Sequence, residues 1–229
     1  MTSAIPSQEI VDRLCESSSC AAVWETVVAT PGVGVALIRC DGQFVYCSPE
    51  FKKLFLGDSD AVVEGRSILD LFPEEWARER LEILKRLESG EPSVLVREIW
   101  RGRQLLTRAG LLPWKEDGTG LVCVVTRPTS ATELSSLGDD VFRSSYVELG
   151  ELDVLTPREL AVLALVGQGL SLKQIAERLH RSFKTIDNHR ASIGRKLRAS
   201  DRVELSRLAL RAGLTPDDAS LKRVTYFKN

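Results

Sequence analysis

The sequence predicts an α+β protein, with an antiparallel sheet and helices in its N-terminal part and four helices in its C-terminal part. Strand-like apolar runs recur between Val33 and Arg127, and helix start and stop signals follow one another from Thr156 to Gly213. The charge also changes sign between the two parts. Residues 1–150 hold 16 Lys and Arg against 23 Asp and Glu, whereas residues 151–215 hold 12 against 7. This asymmetry suggests that only the C-terminal part meets nucleic acid.

The bulk composition is that of an ordinary globular chain. Of its 229 residues, 43% are hydrophobic and 28% are charged, and the formal net charge is −1. No apolar run approaches the ~20 residues that span a bilayer, and the N-terminal segment lacks the basic stretch and apolar core of a signal peptide. The five cysteines form no CxxC pair. We therefore expect reduced thiols and a cytoplasmic location.

The N-terminal 128 residues contain one helix and then alternate between strands and helices. Residues 7–28 have amphipathic spacing, so we place an N-terminal helix within residues 1–27. Asp41-Gly42 suits a two-residue type I′ hairpin turn between two apolar runs. Ser48 and Pro49 begin a helix. Further helices are predicted over GRSILDLF and PEEWARERLEILKRLESG, and three strands over SVLVREIW, LLTRAGLLPW and GLVCVVTR.

This order, together with the phrases SPEFKKLF and EGRSILDLFP, resembles a PAS domain over residues 28–128. The resemblance implies a five-stranded antiparallel sheet with helices, and a role in sensing or dimerisation. The following segment, residues 129–150, is rich in Ser and Thr and shows little periodicity. It is predicted to be a linker.

The sequence predicts no cofactor for the PAS part. Both histidines of the chain, His180 and His189, lie C-terminal to it, which excludes the commonest haem attachment among PAS domains. Flavin-binding relatives carry a reactive cysteine shortly after a Gly-Arg pair, but Ser67 follows Gly65-Arg66 here. Cysteines on the predicted strands are interpreted as small core residues. A small apolar ligand, or no ligand, stays open.

The C-terminal part carries three consecutive helix starts. Thr156, Pro157 and Glu159 form a capping box with Pro at the first helical position, flanked by Leu155 and Leu160 as a hydrophobic staple. Ser171 caps a second, short helix, and Ser182 caps a third. A fourth helix starts at Ser200 and ends at Gly213. Two short helices joined by a three-residue turn form a helix-turn-helix.

TPRE, QGLSLKQIAERL, KTIDNHR and GRKL together resemble the LuxR-type DNA-binding domain over residues 151–215, with the helix-turn-helix at 171–190 and a C-terminal tail at 216–229. The sequence departs from the family pattern at Arg181 and Gly194. Arg181 stands where the family usually has a small apolar residue, and Phe183 is expected to replace the lost core contact. Gly194 lies within the third helix, where Gly costs ~1 kcal/mol relative to Ala.

Helical spacing divides the third helix, here called the recognition helix, into two faces. Ile186, Ile193 and Leu197 point inward. The outward face is mixed in chemistry, as base readout in the major groove requires. The predicted base-contacting residues are Asp187, Asn188, Ala191 and Arg195. For Asp187 the alternative is an ion pair with Arg190 or Lys184 that aims the basic partner.

Phosphate contacts position a protein on DNA without reading sequence. Basic and small polar residues near the helix ends suit this role. The predicted phosphate-contacting residues are Ser171, Lys173, Ser182, Lys184, Thr185, Arg190 and Lys196. His189 lies near the buried face and is interpreted as a structural histidine.

The resemblance also implies a homodimer. The fourth helix pairs subunits in LuxR-type proteins, and the predicted dimerisation residues are Leu205, Leu208, Ala209 and Ala212. The N-terminal helix offers a second surface through Ile10, Leu14 and Trp24. The alternative is that both apolar stripes pack on their own domains.

The predicted function is a bacterial transcriptional regulator that binds specific double-stranded DNA, with a PAS domain for sensing or dimerisation. RNA polymerase stays open as a further partner, and no membrane association is expected. The sequence offers no catalytic residues and no metal ligand set, so we do not expect an enzyme. The alternatives are a sigma-factor-like subunit of RNA polymerase and a PAS sensor protein without sequence-specific DNA binding.

Overall fold

The computed structural model describes residues 18–116, 118–130, 133–134, 137, 140–199 and 201–226. The described residues separate into two compact units. The first contains the chain up to Arg97, Leu106–Pro128 and Tyr226, and the second contains Glu98–Leu105 and Thr129–Thr225. Within the described ranges, no helix has both the length and the apolar composition that crossing a membrane requires.

The first unit is built on a sheet whose strands follow the order β2-β1-β5-β4-β3. Strand β1 pairs antiparallel with both β2 and β5, and Val35 lies opposite Val125. Two strands, a helical segment and three more strands in one sheet confirm the predicted arrangement and the α+β class. The strands are β1 (Gly34–Arg39), β2 (Phe44–Cys47), β3 (Ser93–Trp100), β4 (Arg103–Glu116) and β5 (Thr119–Pro128).

The hairpin between β1 and β2 differs from the predicted two-residue turn. The Gly42 amide donates to the Arg39 carbonyl at 2.8 Å, and the Arg39 amide donates to the Gln43 carbonyl at 2.9 Å. Three residues therefore connect the strands, and the last of them, Gly42, has φ +92°. A turn closed by a left-handed glycine is the usual three-residue hairpin loop. Asp41 supports it by accepting from the Gln43 amide at 3.1 Å.

Among its described residues, the first unit has four helices: α1 (Ser18–Ala29), α2 (Pro49–Phe55), α3 (Ile68–Leu71) and α4 (Glu74–Glu88). The predicted start of α2 is confirmed, since the Ser48 hydroxyl accepts from the Phe51 amide at 3.2 Å. Aromatic side chains fill the space beside these helices: Phe51 stacks on Phe55 at 4.6 Å between ring centroids. Trp24 of α1 lies 5.6 Å from Tyr46, so this residue packs on its own unit.

The apolar stripe of the predicted N-terminal helix lies only partly within the described residues. Ile10 and Leu14 lie outside the described residues, as do the side chains of Cys15 and Cys20. Cys40 and Cys47 are buried cysteines, and Cys123 is half-buried. Burial raises the pKa of both Cys47 and Cys123, which suits the predicted role as small core residues.

The second unit contains strands β6 (Val141–Val147) and β7 (Lys222–Arg223), which pair in parallel. Strand β6 lies within the segment predicted to be a linker, and β7 and a 3-10 helix (Pro216–Ser220) lie within the predicted tail. The apolar residues of β6 lie at its two ends, with Arg143, Ser144 and Ser145 between them, so the strand lacks the alternation of apolar and polar residues that would mark it in the sequence. The helices of the second unit are α5 (Pro157–Gly167), α6 (Leu172–Arg178), α7 (Phe183–Leu197) and α8 (Arg202–Ala212), preceded by a 3-10 helix at Gly150–Val154.

The core of the second unit includes the connected ends of β3 and β4, residues 98–105. Ile99 is 1% exposed and lies in one apolar cluster with Leu160, Leu163 and Ile186. Glu148 fastens this hairpin end, because its carboxylate accepts from the Arg101 amide at 2.8 Å and from the Gly150 amide at 3.2 Å. Burial raises the pKa of Glu148. The unit therefore extends beyond the predicted residues 151–215.

Candidate nucleic-acid interface

The helix-turn-helix consists of α6, a short connection and α7. The connection turns at His180, whose φ of +51° lies in the left-handed region. The Arg181 amide donates to the Ala176 carbonyl at 2.9 Å, which closes the turn. The predicted helix-turn-helix is therefore present, but its second helix is not short: α7 has 15 residues against 7 in α6.

Hydroxyl side chains begin each helix of the motif, as predicted. Ser171 and Gln174 form a capping box at α6. At α7, the Ser182 hydroxyl accepts from the Thr185 amide at 3.1 Å and lies 2.8 Å from the Thr185 hydroxyl. Three of the predicted phosphate-contacting residues (Ser171, Ser182, Thr185) therefore have a structural role at the helix starts. Lys173 is exposed beside the first of them.

The recognition helix α7 has the two predicted faces. Ile186 is fully buried and Ile193 is 1% exposed, both in the core of the second unit. On the opposite face, four predicted DNA-contacting residues are exposed to solvent: Lys184, Asn188, Ala191 and Arg195. This face offers an ammonium, an amide, a methyl and a guanidinium group within about three turns. Contact between these groups and DNA stays a prediction.

Asp187 and Arg190 form an ion pair on one flank of this face. The Arg190 guanidinium donates to one Asp187 oxygen from Nε at 3.3 Å and from Nη2 at 3.2 Å. Both side chains are about one-third exposed. The ion pair that was the alternative for Asp187 is therefore present, with Arg190 as the partner.

Lys196 and Ser192 on the other flank bind a buried carboxylate. Glu159 of α5 is 4% exposed, and it accepts from the Ser192 hydroxyl and from the Lys196 ammonium, each at 2.7 Å. It also accepts from the Thr156 amide at 2.8 Å, which completes the predicted capping box. Burial raises the pKa of Glu159, but these hydrogen bonds outweigh burial and lower the pKa to about 2.

Glu159 therefore joins the start of α5 to the recognition helix, a role that the sequence does not reveal. Its partners Ser192 and Lys196 lie 33 and 37 residues away in the chain, beyond the reach of local patterns. Lys196 was predicted to contact phosphate, but its ammonium is engaged with this carboxylate. The signal that could point to the contact is the pair of TPRE and GRKL motifs, taken together.

One expectation around the turn needs correction. Phe183 was expected to take over a core contact, but it is 56% exposed. Arg181 is exposed and His189 is half-buried.

The predicted dimerisation stripe is largely internal. Leu205 is 3% exposed, Ala209 is 2% exposed and Ala212 is fully buried, all within the core of the second unit, and Leu208 is half-buried. These residues pack on their own unit, which was the alternative reading. Helix α8 carries a second apolar stripe on its outer side, where Val203 is 70% exposed and Leu210 is 65% exposed.

Comparison with known proteins places these elements in a family. Residues 153–209 match the family of bacterial regulatory proteins named for luxR. The response regulator RamR of Streptomyces coelicolor is 46% identical over 61 residues, which are 27% of this chain and 30% of RamR. The Bordetella pertussis transcription regulator BvgA is 36% identical over 87 residues, covering 38% and 40% of the two chains. The chain thus spans less than half the length of these relatives.

Among solved structures, the Vibrio cholerae VqmA dimer, described among LuxR-type receptors, resembles 88% of this chain and 93% of its own. The sequence identity is 21% and the TM-score is 0.44.

Proposed function

Residues 153–209 form a domain of the luxR family of bacterial regulatory proteins, and from this premise we propose that the chain is a transcriptional regulator that binds specific double-stranded DNA. One observation carries the proposal. The recognition helix buries Ile186 and Ile193 and presents Lys184, Asn188 and Arg195 to solvent. A helix held this way can enter the major groove with a mixed polar face outward.

In this proposal the exposed face divides its work by chemistry. Asn188 can form a bidentate pair with adenine, Arg195 with guanine, and the Ala191 methyl can contact thymine. Lys184 supplies a phosphate contact. Asp187 holds the Arg190 guanidinium in one direction through their ion pair, so we assign this pair to positioning Arg190 at the backbone.

Two substitutions on the same face test the division. Asn188→Ala should cost ~1–3 kcal/mol on the preferred sequence and little on random DNA, because it removes base readout. Lys184→Ala should weaken both kinds of DNA alike and lower the salt dependence by about one phosphate contact. Titrations of both DNAs at several salt concentrations measure this. Equal losses on both DNAs for Asn188→Ala would refute its assignment as a base reader.

We further propose that the regulator binds as a homodimer through the outer stripe of α8. One recognition helix covers few base pairs, and two-fold symmetry supplies the remaining affinity. Val203 and Leu210 are exposed apolar residues seven positions apart, so they lie on the same side of α8. Leu210→Glu should shift the full chain towards the monomer in sedimentation. Val154→Glu is the matched control, because Val154 is 56% exposed on another element of the same unit. A wild-type chain that binds DNA as a single copy would exclude the dimer.

The N-terminal unit, in this proposal, senses a ligand or mediates association and has no catalytic activity. Regulation of transcription would then involve RNA polymerase as a partner of the DNA-bound chain. The absorbance spectrum and the native mass of the purified full chain test the sensing role, since a bound ligand adds mass or colour. A mass equal to that of the bare polypeptide would favour association over sensing.

A further inference from the structure

An open cavity of about 160 Å³ lies in the second unit beside the start of the recognition helix. Helix α5, the end of α6, the turn and the first half of α7 all contribute to its wall. The lining residues are Arg158, Ala161, Val162, Leu179, Arg181, Ile186 and His189.

The cavity combines an apolar floor with basic walls. Val162 and Ile186 are 1% and 0% exposed, so they form a rigid base. The polar lining residues are two arginines and one histidine, and no acidic residue lies among the lining residues. Arginine stays charged under all physiological conditions. The cavity is therefore positively charged and has several N–H donors.

The three basic side chains have no partner within the described part of the chain. The side chains of Arg158, Arg181 and His189 form neither a hydrogen bond nor an ion pair with the described residues. Arg211 and Arg223 of the same unit pair with acids instead.

The carboxylate of Glu159, next to Arg158 in the sequence, does not supply negative charge to the cavity. Glu159 follows Arg158 directly, but its two oxygens accept hydrogen bonds from Thr156, Ser192 and Lys196. The cavity thus gathers donors and cationic groups without an acceptor.

Arg181 lies in the turn of the helix-turn-helix and is exposed to solvent. An exposed arginine in the turn gives no core contact in return. Its presence on the cavity wall is explained if it binds an anion.

We propose that this cavity binds a phosphate group, held between the Arg158 and Arg181 guanidinium groups with His189 as a further donor. A guanidinium presents paired N–H donors that match the oxygens of a phosphate. The source can be the DNA backbone or a free phosphate-bearing molecule. The first source rests on the proposed DNA-binding function and adds a backbone contact beside the base-reading face.

The DNA test compares salt dependence in the full chain. Arg181→Ala should lower the slope of log K against log salt by about 0.9, the value for one phosphate contact, on specific and random DNA alike. Arg158→Ala should do the same, and the double variant should lose less than the sum, because both groups act on one phosphate. Arg143→Ala, an exposed arginine on β6, controls for net charge and should leave the slope unchanged.

The second test uses inorganic phosphate without DNA, at constant ionic strength. The chain has only two histidines, so the ring-proton resonance of His189 can be assigned in the full-length protein with a His180→Gln variant. Phosphate should shift the His189 resonance to saturation in the wild type and not in Arg181→Ala.

The outcomes separate the sources. A lower slope without a saturable shift assigns the cavity to DNA phosphate, and a saturable shift without a slope change assigns it to a free ligand. An unchanged slope together with no saturable shift overturns the proposal. If the wild type binds no DNA at all, the proposed function fails, while the His189 titration still decides whether the cavity binds phosphate.

Discussion

Replacing Glu159 of α5 with glutamine should destabilise the second unit more than removing any single charge in the helix-turn-helix. The carboxylate is 4% exposed and accepts hydrogen bonds from Lys196, Ser192 and Thr156 at 2.7–2.8 Å. Glutamine has nearly the same shape, but it has no charge and only one acceptor oxygen. The variant therefore removes the charge-assisted bond to Lys196 and turns an amide donor towards other donors.

The lowered pKa sets the size of the effect. The pKa of Glu159 falls from its ordinary 4.5 to about 2, and each pKa unit corresponds to ~1.4 kcal/mol. The ionised form thus stabilises the folded state by roughly 3 kcal/mol. Because the pKa is lowered in the folded state, this contribution is complete above about pH 4.5. It declines as the pH falls towards 2, where the folded protein must also take up the proton.

The assay is urea unfolding of the full chain, followed by helical circular dichroism, at pH 7 and at successively lower pH. Glu159→Gln should lose about 3 kcal/mol at pH 7, and the gap to the wild type should narrow below about pH 4.5. Glu177→Gln on α6, an exposed glutamate, should change stability by less than about 0.5 kcal/mol. A Glu159→Gln variant as stable as the wild type at pH 7, or a gap that does not change with pH, would refute the reasoning.

Two further predictions concern backbone conformation and are checked by the same unfolding assay. Gly213 ends α8 with φ +56°, and an added Cβ would lie 2.7 Å from the Gln104 side chain. Gly213→Ala should therefore lower the free energy of unfolding more than Gly169→Ala does. At Gly169 φ is +82° with open space around it, so backbone strain alone contributes ~1 kcal/mol. Equal losses would show that Gln104 moves aside. His180→Gly should raise stability by roughly 0.5–1 kcal/mol, because glycine adopts the left-handed conformation of the turn without strain, and a loss of stability would mean that the imidazole itself contributes to the motif.

Features that depend on neighbouring residues could be predicted from the sequence. The capping box of Thr156 and Glu159, the cap at Ser182 and the inward direction of Ile186 and Ile193 follow from spacings of three to seven residues. Side chain and backbone atoms within about two turns of helix determine these features, so no knowledge of the rest of the chain is needed.

Features that depend on tertiary packing could not be predicted in this way. Helix α8 has two apolar stripes, one with Leu205 and Ala209 and one with Val203 and Leu210, and periodicity alone does not show which stripe faces the core. The stripe that the sequence predicts as the dimer surface is the buried one, with Leu205 and Ala209. Similarly, the engagement of Lys196 by Glu159 depends on how α5 crosses α7, which no local pattern records.

The hairpin end at residues 98–105 limits how the DNA-binding part can be exchanged between proteins. A segment beginning at residue 151 carries all the helices that contact DNA in the proposal, yet it lacks Ile99, Gln104 and the carboxylate of Glu148. A chimera that joins this segment to another sensor would leave an unfilled volume beside Leu160 and Leu163. It would also lack the Gln104 side chain that lies beside Gly213. Recombination that moves the helix-turn-helix alone would leave out residues 98–105, which are encoded in a distant part of the gene. Selection for a stable core would therefore oppose such an exchange in this chain.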